Sequence, residues 1–351
     1  TAEIRSRQEP KIEDEKALRE RIRKELLPYL DEFFNPTSVP PGPYLVEDNA
    51  LYEANAIFAA GLVEGIDGSV VTVPVGNDTM ALVTDAAVNH RGKIRQLKTR
   101  IHMVSTLGTH LAADSTLSVM EILDARAAWS GASDDQKELV VRQAMTLSER
   151  ELQAESNAQW TIGHGNPIAL ELFSTSAGSR DLVARACNAL REIVAKRRFI
   201  FVPSETPSRY ELVSIANALE PGTFCVFADV AYWFDLMLES ALKGPFWEEV
   251  KQIVAQLDAD IREEIVVGGY RSSDVAPGRL FFAHRDYVMQ AGPIVIADSL
   301  LTGYRGFSSL IDLADRSAAR FKSSFLKAQT NINFERSDVP FLFLGERATR
   351  R

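Results

Sequence analysis

Five histidines, His90, His102, His110, His164 and His284, are the side chains in this sequence best suited to move a proton near neutral pH. No two of them stand at the i, i+4 spacing that brings a pair of ligands to one helical face, so no metal centre is expected. His102 and His110 lie eight apart in a β-like region and would converge only if the strand bent, so a structural role is expected for both. Ser174, His164 and Asp181 could assemble a triad from distant positions, because triads are defined by geometry and not by order. The sequence has no GxSxG nucleophile elbow to support that reading. Gly163-His-Gly165 lacks the third glycine of a dinucleotide loop, since Ile168 holds its place, and it reads as a helix stop. The neighbouring carboxylates Asp258 and Asp260, and Glu263 and Glu264, read as solvated helix charges. No catalytic, cofactor-binding or metal-binding residue is assigned.

The densest charge lies in His90-Arg-Gly-Lys-Ile-Arg-Gln-Leu-Lys-Thr-Arg100, where Arg91, Lys93, Arg95, Lys98 and Arg100 follow one another closely. Closely spaced cations can neutralise phosphates. No aromatic residue interleaves them for base stacking, so a solvated loop or a subunit contact is the better expectation. The terminal Arg347, Arg350 and Arg351 fall under the same judgement.

These residues must be carried by elements that the pattern makes legible. Apolar positions at helical spacing within a charged stretch predict an amphipathic helix from Ile12 to Phe34, followed by a proline-rich linker from Asn35 to Pro43. Ser69–Val75 and Thr79–Thr84 read as strands joined by the turn-forming Gly76-Asn-Asp78, and Ile101–Leu107 as a further strand. Ser133 and Gln136 form a capping box ahead of a long helix, 135–160, which has a small-residue stripe at Ala144, Met145, Ser148 and Leu152. A helix over Arg180–Lys196 leads into a strand over Arg198–Pro203. Beyond it short strands (Thr223–Ala228, Ile265–Val267, Arg279–His284, Gly292–Ile296, Pro340–Leu344) alternate with helices (Tyr232–Lys243, Glu248–Asp260, Leu310–Lys327). The class is α+β.

With 351 residues, a formal charge of −9, 46% hydrophobic and 25% charged residues, the chain has the composition of a globular protein of about two domains. The acidic balance argues against a dedicated nucleic-acid binder. Cys187 and Cys225 have no CxxC neighbour, which suits a reducing compartment. No run approaches the ~18 apolar residues of a membrane span and the first residues lack a signal-peptide core, so the expected site of synthesis is the cytosol.

The order of features from Ser69 to Leu170 resembles the middle of a tailed-bacteriophage major capsid protein, the fold shared with encapsulin compartments. Val70-Val-Thr-Val-Pro74 would open the family's extended loop, and the basic run would be its polar excursion. Ser118-Val-Met-Glu-Ile-Leu-Asp124 would be its short acidic segment, and 135–160 its spine helix. Gly163-His-Gly-Asn-Pro167 would stand where the family has Gly-Asp-Gly and a proline, with His164 in place of the acid. The resemblance implies an N-terminal arm and linker (1–50), an extended loop (66–105), a peripheral domain (51–65, 106–203 and 297–351) and an axial domain (204–296). It implies no enzyme and no cofactor, but an icosahedral shell subunit located in the virion and assembled in the host cytoplasm. Its partners would be copies of itself in hexamers and pentamers, minor capsid or cement proteins, and packaged double-stranded DNA held without sequence specificity, with no membrane. Arg91, Lys93, Arg95, Lys98 and Arg100 would contact a neighbouring subunit, and Lys93 or Lys98 could carry an isopeptide link. An encapsulin-like shell around a cargo enzyme, or a soluble α/β enzyme with an unrecognised site, are the alternatives.

Overall fold

The computed structural model describes residues 2–34, 39–75, 78–103, 134–173, 180–204, 209–239 and 247–321. Nine strands form one mixed sheet: β1 (Tyr44–Leu45), β2 (Val63–Val75), β3 (Asp78–Val88), β4 (Ile94–Met103), β5 (Trp160–His164), β6 (Phe199–Val202), β7 (Thr223–Asp229), β8 (Ile265–Arg271) and β9 (Arg279–His284). Their order across the sheet is β1-β7-β8-β9-β6-β5-β2-β3-β4. At its centre β2, β5 and β6 run parallel, and the remaining pairings are antiparallel.

The alternation of β2 decides what covers each face. Ile66 and Val70, with Ala81, Val83 and Ala87 of β3, pack against Val140, Val141, Ala144 and Leu152 of the long helix Asp134–Glu155 (α3). On the opposite face Val63, Ala86 and Val88 join a second core with helix Val288–Leu300 (α8) and the helix over 309–321 (α9). Helices Ala2–Glu25 (α1) and Asp48–Ala59 (α2) precede α3, with a single helical turn, Leu30–Phe33, between them, and four helices lie between α3 and α8: Arg180–Lys196 (α4), Tyr210–Ala218 (α5), Ala231–Glu239 (α6) and Trp247–Ile261 (α7).

The α+β class holds, but the capsid-like fold does not. The residues expected to form an extended loop are instead a meander, β2-β3-β4, in which each strand pairs along its length. The basic run falls on β4 and on the turn before it. Segments expected in the peripheral and axial domains contribute strands to the same sheet. The long helix stops at Glu155, and Trp160–His164, expected as its end, is a buried strand. Gly292–Ile296, expected as a strand, lies inside α8. That helix is buried nearly all round, so its β-branched run carries no helical periodicity. Its glycine lets α8 approach the sheet, because a Cβ at Gly292 would come within 2.6 Å of the Phe224 ring. The short acidic segment 118–124, the last strand 340–344, His110, Ser174 and the terminal arginines lie outside the described residues.

Gly292→Ala therefore forces α8 away from β7, and overpacking of this kind costs about 1–3 kcal/mol. Urea unfolding should show that loss, and a variant as stable as the parent would mean that the helix can shift freely.

Candidate active site

β5 is shorter than β2. Their parallel pairing ends at Ile66↔Gly163, so from Asp67 onward no strand among the described residues lies along that edge of β2. Side chains take over the backbone's hydrogen bonding: the Gly68 N–H donates to Asp67 Oδ1 (2.9 Å) and to Glu149 Oε1 (3.0 Å) from α3. Asp85 stands opposite Gly68 on β3. A Cβ on Gly68 would lie 2.6 Å from Asp85 Oδ1 and 2.7 Å from Glu149 Oε1, so only glycine admits both carboxyl groups.

His164, the last residue of β5, completes the cluster. Its Nδ1 lies 3.2 Å from Asp67 Oδ1, and its ring meets Phe307 edge to face at 5.9 Å. The side chain is 31% exposed, whereas that of Asp67 is 8% exposed. Nε2 has no hydrogen-bond partner among the described residues. Beneath it the buried guanidinium of Arg150 donates from Nη2 to the carbonyl oxygens of His164 and Asn166 (3.0 Å each) and lies 4.4 Å from the Phe201 ring centroid. Arg150 thus fastens the turn that ends β5.

Burial penalises the charged carboxylates in this notch. Asp85 is pushed up to about 7, chiefly by burial, although the Ser148 hydroxyl donates to it and Arg100 and Lys98 act the other way. Its Oδ1 has no partner. Burial also holds Glu149 well above the usual range, helped by Asp67 and Asp85 and opposed by Arg150 and the Gly68 N–H. These oxygens are the hard donors that magnesium or manganese prefer. Asp67 Oδ1 and Glu149 Oε1 accept from Gly68 N–H, Asp67 Oδ1 also faces His164, and Asp85 Oδ2 accepts from Ser148. Among the described residues no three His, Cys, Asp or Glu side chains are placed to hold a metal ion.

The residues singled out in the sequence lie mostly elsewhere. Lys98 pairs with Glu155 and Arg100 with Glu151 (2.5 Å), both across the face covered by α3, while Arg95 reaches Glu64 (3.3 Å). Arg91 and Lys93 sit in the turn before β4, where the Asn89 side chain accepts from Arg91 N and Lys93 O accepts from Asn89 N. Asp258 pairs with Arg262, Asp260 with Arg191, and Glu263 and Glu264 with Arg285. Both cysteines are buried and free, with the Cys187 thiol pushed up to about 12 by burial. His90 Nε2 faces Asp298 (2.9 Å) and Ser309 (3.4 Å) on the side of the sheet covered by α8 and α9. Of the described side chains weighed for chemistry, only His164 belongs to the notch. Sequence reasoning missed Asp67, Asp85 and Glu149, yet Glu149 adjoins the stripe of partly buried Met145 and buried Ser148 and Leu152 at helical spacing, and a carboxylate on such a face is the signal that could have found it.

Because Asp85 binds its proton more tightly in the folded chain (about 7) than an ordinary aspartate does (3.8), its contribution to stability falls as pH rises from about 4 to about 7. The change is at most about 4 kcal/mol. Asp85→Asn should remove this slope, so urea unfolding at about pH 5 and about pH 8 should show the stability of the parent relative to the variant declining between them. A constant difference would mean that Asp85 titrates normally.

No family model matches the sequence, and no curated protein matches it significantly. Among solved structures the fold is similar to that of the NurA nuclease from Sulfolobus solfataricus, at a TM-score of 0.51 and 10% identity over 96% of this chain and 99% of that one. A second structure, of NurA, is similar at a TM-score of 0.52 and 7% identity over 97% of this chain and 99% of that one. This end-to-end likeness overturns the resemblance to a phage capsid protein. The shell-forming function, the hexamers and pentamers, the virion location and the assignment as a non-enzyme rested on that resemblance and fall with it.

Proposed function

We propose that this chain is a nuclease, hydrolysing phosphodiester bonds at the notch where β2 outruns β5. One observation carries the reading: Asp67 holds a half-buried imidazole by Nδ1 and leaves Nε2 without a partner among the described residues, in a fold similar to that of a nuclease. A carboxylate on Nδ1–H fixes the tautomer in which Nε2 accepts a proton, and it stabilises the imidazolium that results.

His164 takes a proton from water as the water oxygen attacks phosphorus. The bond from phosphorus to the leaving sugar oxygen breaks, that oxygen takes up a proton, and His164 returns its own to solvent. Arg150 keeps the imidazole over Asp67 by holding the carbonyl groups of the turn. Burial favours the neutral forms of Asp85 and Glu149, which reduces the repulsion that a charged acidic cluster would exert on phosphate. The soluble enzyme entertained from sequence as an alternative thereby becomes the leading reading.

Labelled single- and double-stranded DNA and RNA, incubated with the purified chain in magnesium, in manganese or in chelator, test this. Wild type should cleave at least one of them, and Asp67→Asn and His164→Ala should each lower the rate about 100-fold or more. A wild type inert on every substrate, or variants that cut as it does, would refute the proposal.

A further inference from the structure

A chain of net charge −9 with acids at its reaction centre must still hold a polyanion, so a nuclease reading requires a local cation near His164. The end of the sheet where β5 and β6 stop supplies one. β9 runs antiparallel to β6 and begins at Arg279, beside the residues that follow β6. Arg279 Nη1 donates to Ser204 O (3.0 Å), and Nε and Nη2 donate to Arg305 O (3.3 and 3.1 Å). Its Cζ lies 5.7 Å from the Phe307 ring centroid, and the same ring meets the His164 imidazole at 5.9 Å. One aromatic side chain thus spaces the guanidinium from the imidazole, within the reach of about three nucleotides at ~3.4 Å each along a strand.

We propose that Arg279 binds a backbone phosphate of the substrate strand, close to the bond cut at His164. This rests on the nuclease reading and adds the residue that positions the strand. All three of its described hydrogen bonds go to carbonyl oxygens, which orient a guanidinium without neutralising it, and no carboxylate pairs with it among the described residues. Arg305, whose Cζ lies 5.8 Å from the same ring centroid, is paired with Asp312. Of the five N–H groups of an arginine, three are spent in holding Arg279 in place. The rest can meet phosphate oxygens, and the side chain is already ordered when the strand arrives. Such a contact reads neither base nor sugar, so DNA and RNA strands should use it alike.

The test uses the full chain carrying Asp67→Asn, so that the strand stays intact, and measures fluorescence anisotropy with labelled single-stranded DNA and RNA over a range of salt. Adding Arg279→Gln should weaken binding about 10-fold and flatten the log–log salt dependence by about 0.7, the loss of one phosphate contact on a single strand. Arg279→Lys should restore part of the affinity. Arg21→Gln removes the same charge from exposed α1, where Arg21 pairs with Glu25, and should leave the slope unchanged. Equal slopes with and without Arg279, or the same loss from Arg21→Gln, would overturn the assignment, as would a parent that binds neither strand. If the parent binds and Arg279→Gln flattens the slope, but the wild-type chain cleaves nothing, the phosphate site stands and the nuclease reading fails.

Discussion

Everything distinctive about this molecule follows from a mismatch in length between two adjacent parallel strands. The pairing of β5 with β2 ends at Ile66↔Gly163 while β2 continues to Val75, and the N–H groups of the edge that no described strand covers need hydrogen-bond acceptors. Asp67 and Glu149 supply them at Gly68. A third carboxyl, Asp85, is brought in by the β2–β3 register alone. The acids gather because the backbone is open there, and a glycine gives them room.

That arrangement is electrostatically expensive, and the surroundings limit the cost. Arg150 sits within reach of Glu149, Asp67 and Glu171, and burial pulls its own affinity for a proton downward while these carboxylates push it back up. Its ring contact with Phe201 and its two carbonyl acceptors leave Nε and Nη1 without hydrogen bonds. Fully satisfied polar networks rigidify a core, whereas this one retains unmet capacity on the acid side at Asp85 and on the basic side at Arg150. Both lie next to the proposed reaction centre.

Much of the fold was legible in the sequence. Alternation over 69–84 gave the hairpin, and α4 and β9 were expected with the boundaries they have. What could not be read was produced by contacts distant along the chain. Asp67 meets Glu149 through Gly68 and His164 through its own carboxylate, and no local spacing records either meeting. Trp160–His164 is five residues long and follows a helix closely, so glycines within and after it read as a stop, while pairing to β2 and β6 makes it a strand. His164 was considered only with Ser174 and Asp181. The acid that holds it lay unmarked in a β-branched run, where one aspartate resembles an ordinary outward-facing residue. The order of features that suggested a capsid protein was real, but strand, basic turn, helix and glycines can be strung together in that order by more than one fold.

The parallel pairing of β2 with β5 has a consequence for how the chain reaches its native state. The β2-β3-β4 meander closes through neighbouring residues and can form early, whereas β5 must return across most of a hundred residues to lie beside β2. Loop-closure entropy makes such a contact late. The notch does not exist until it is made, since the meander alone lacks His164. Assembly of the reaction centre therefore reports completion of the sheet, and a partly folded chain holds its acids without the imidazole that would put them to use.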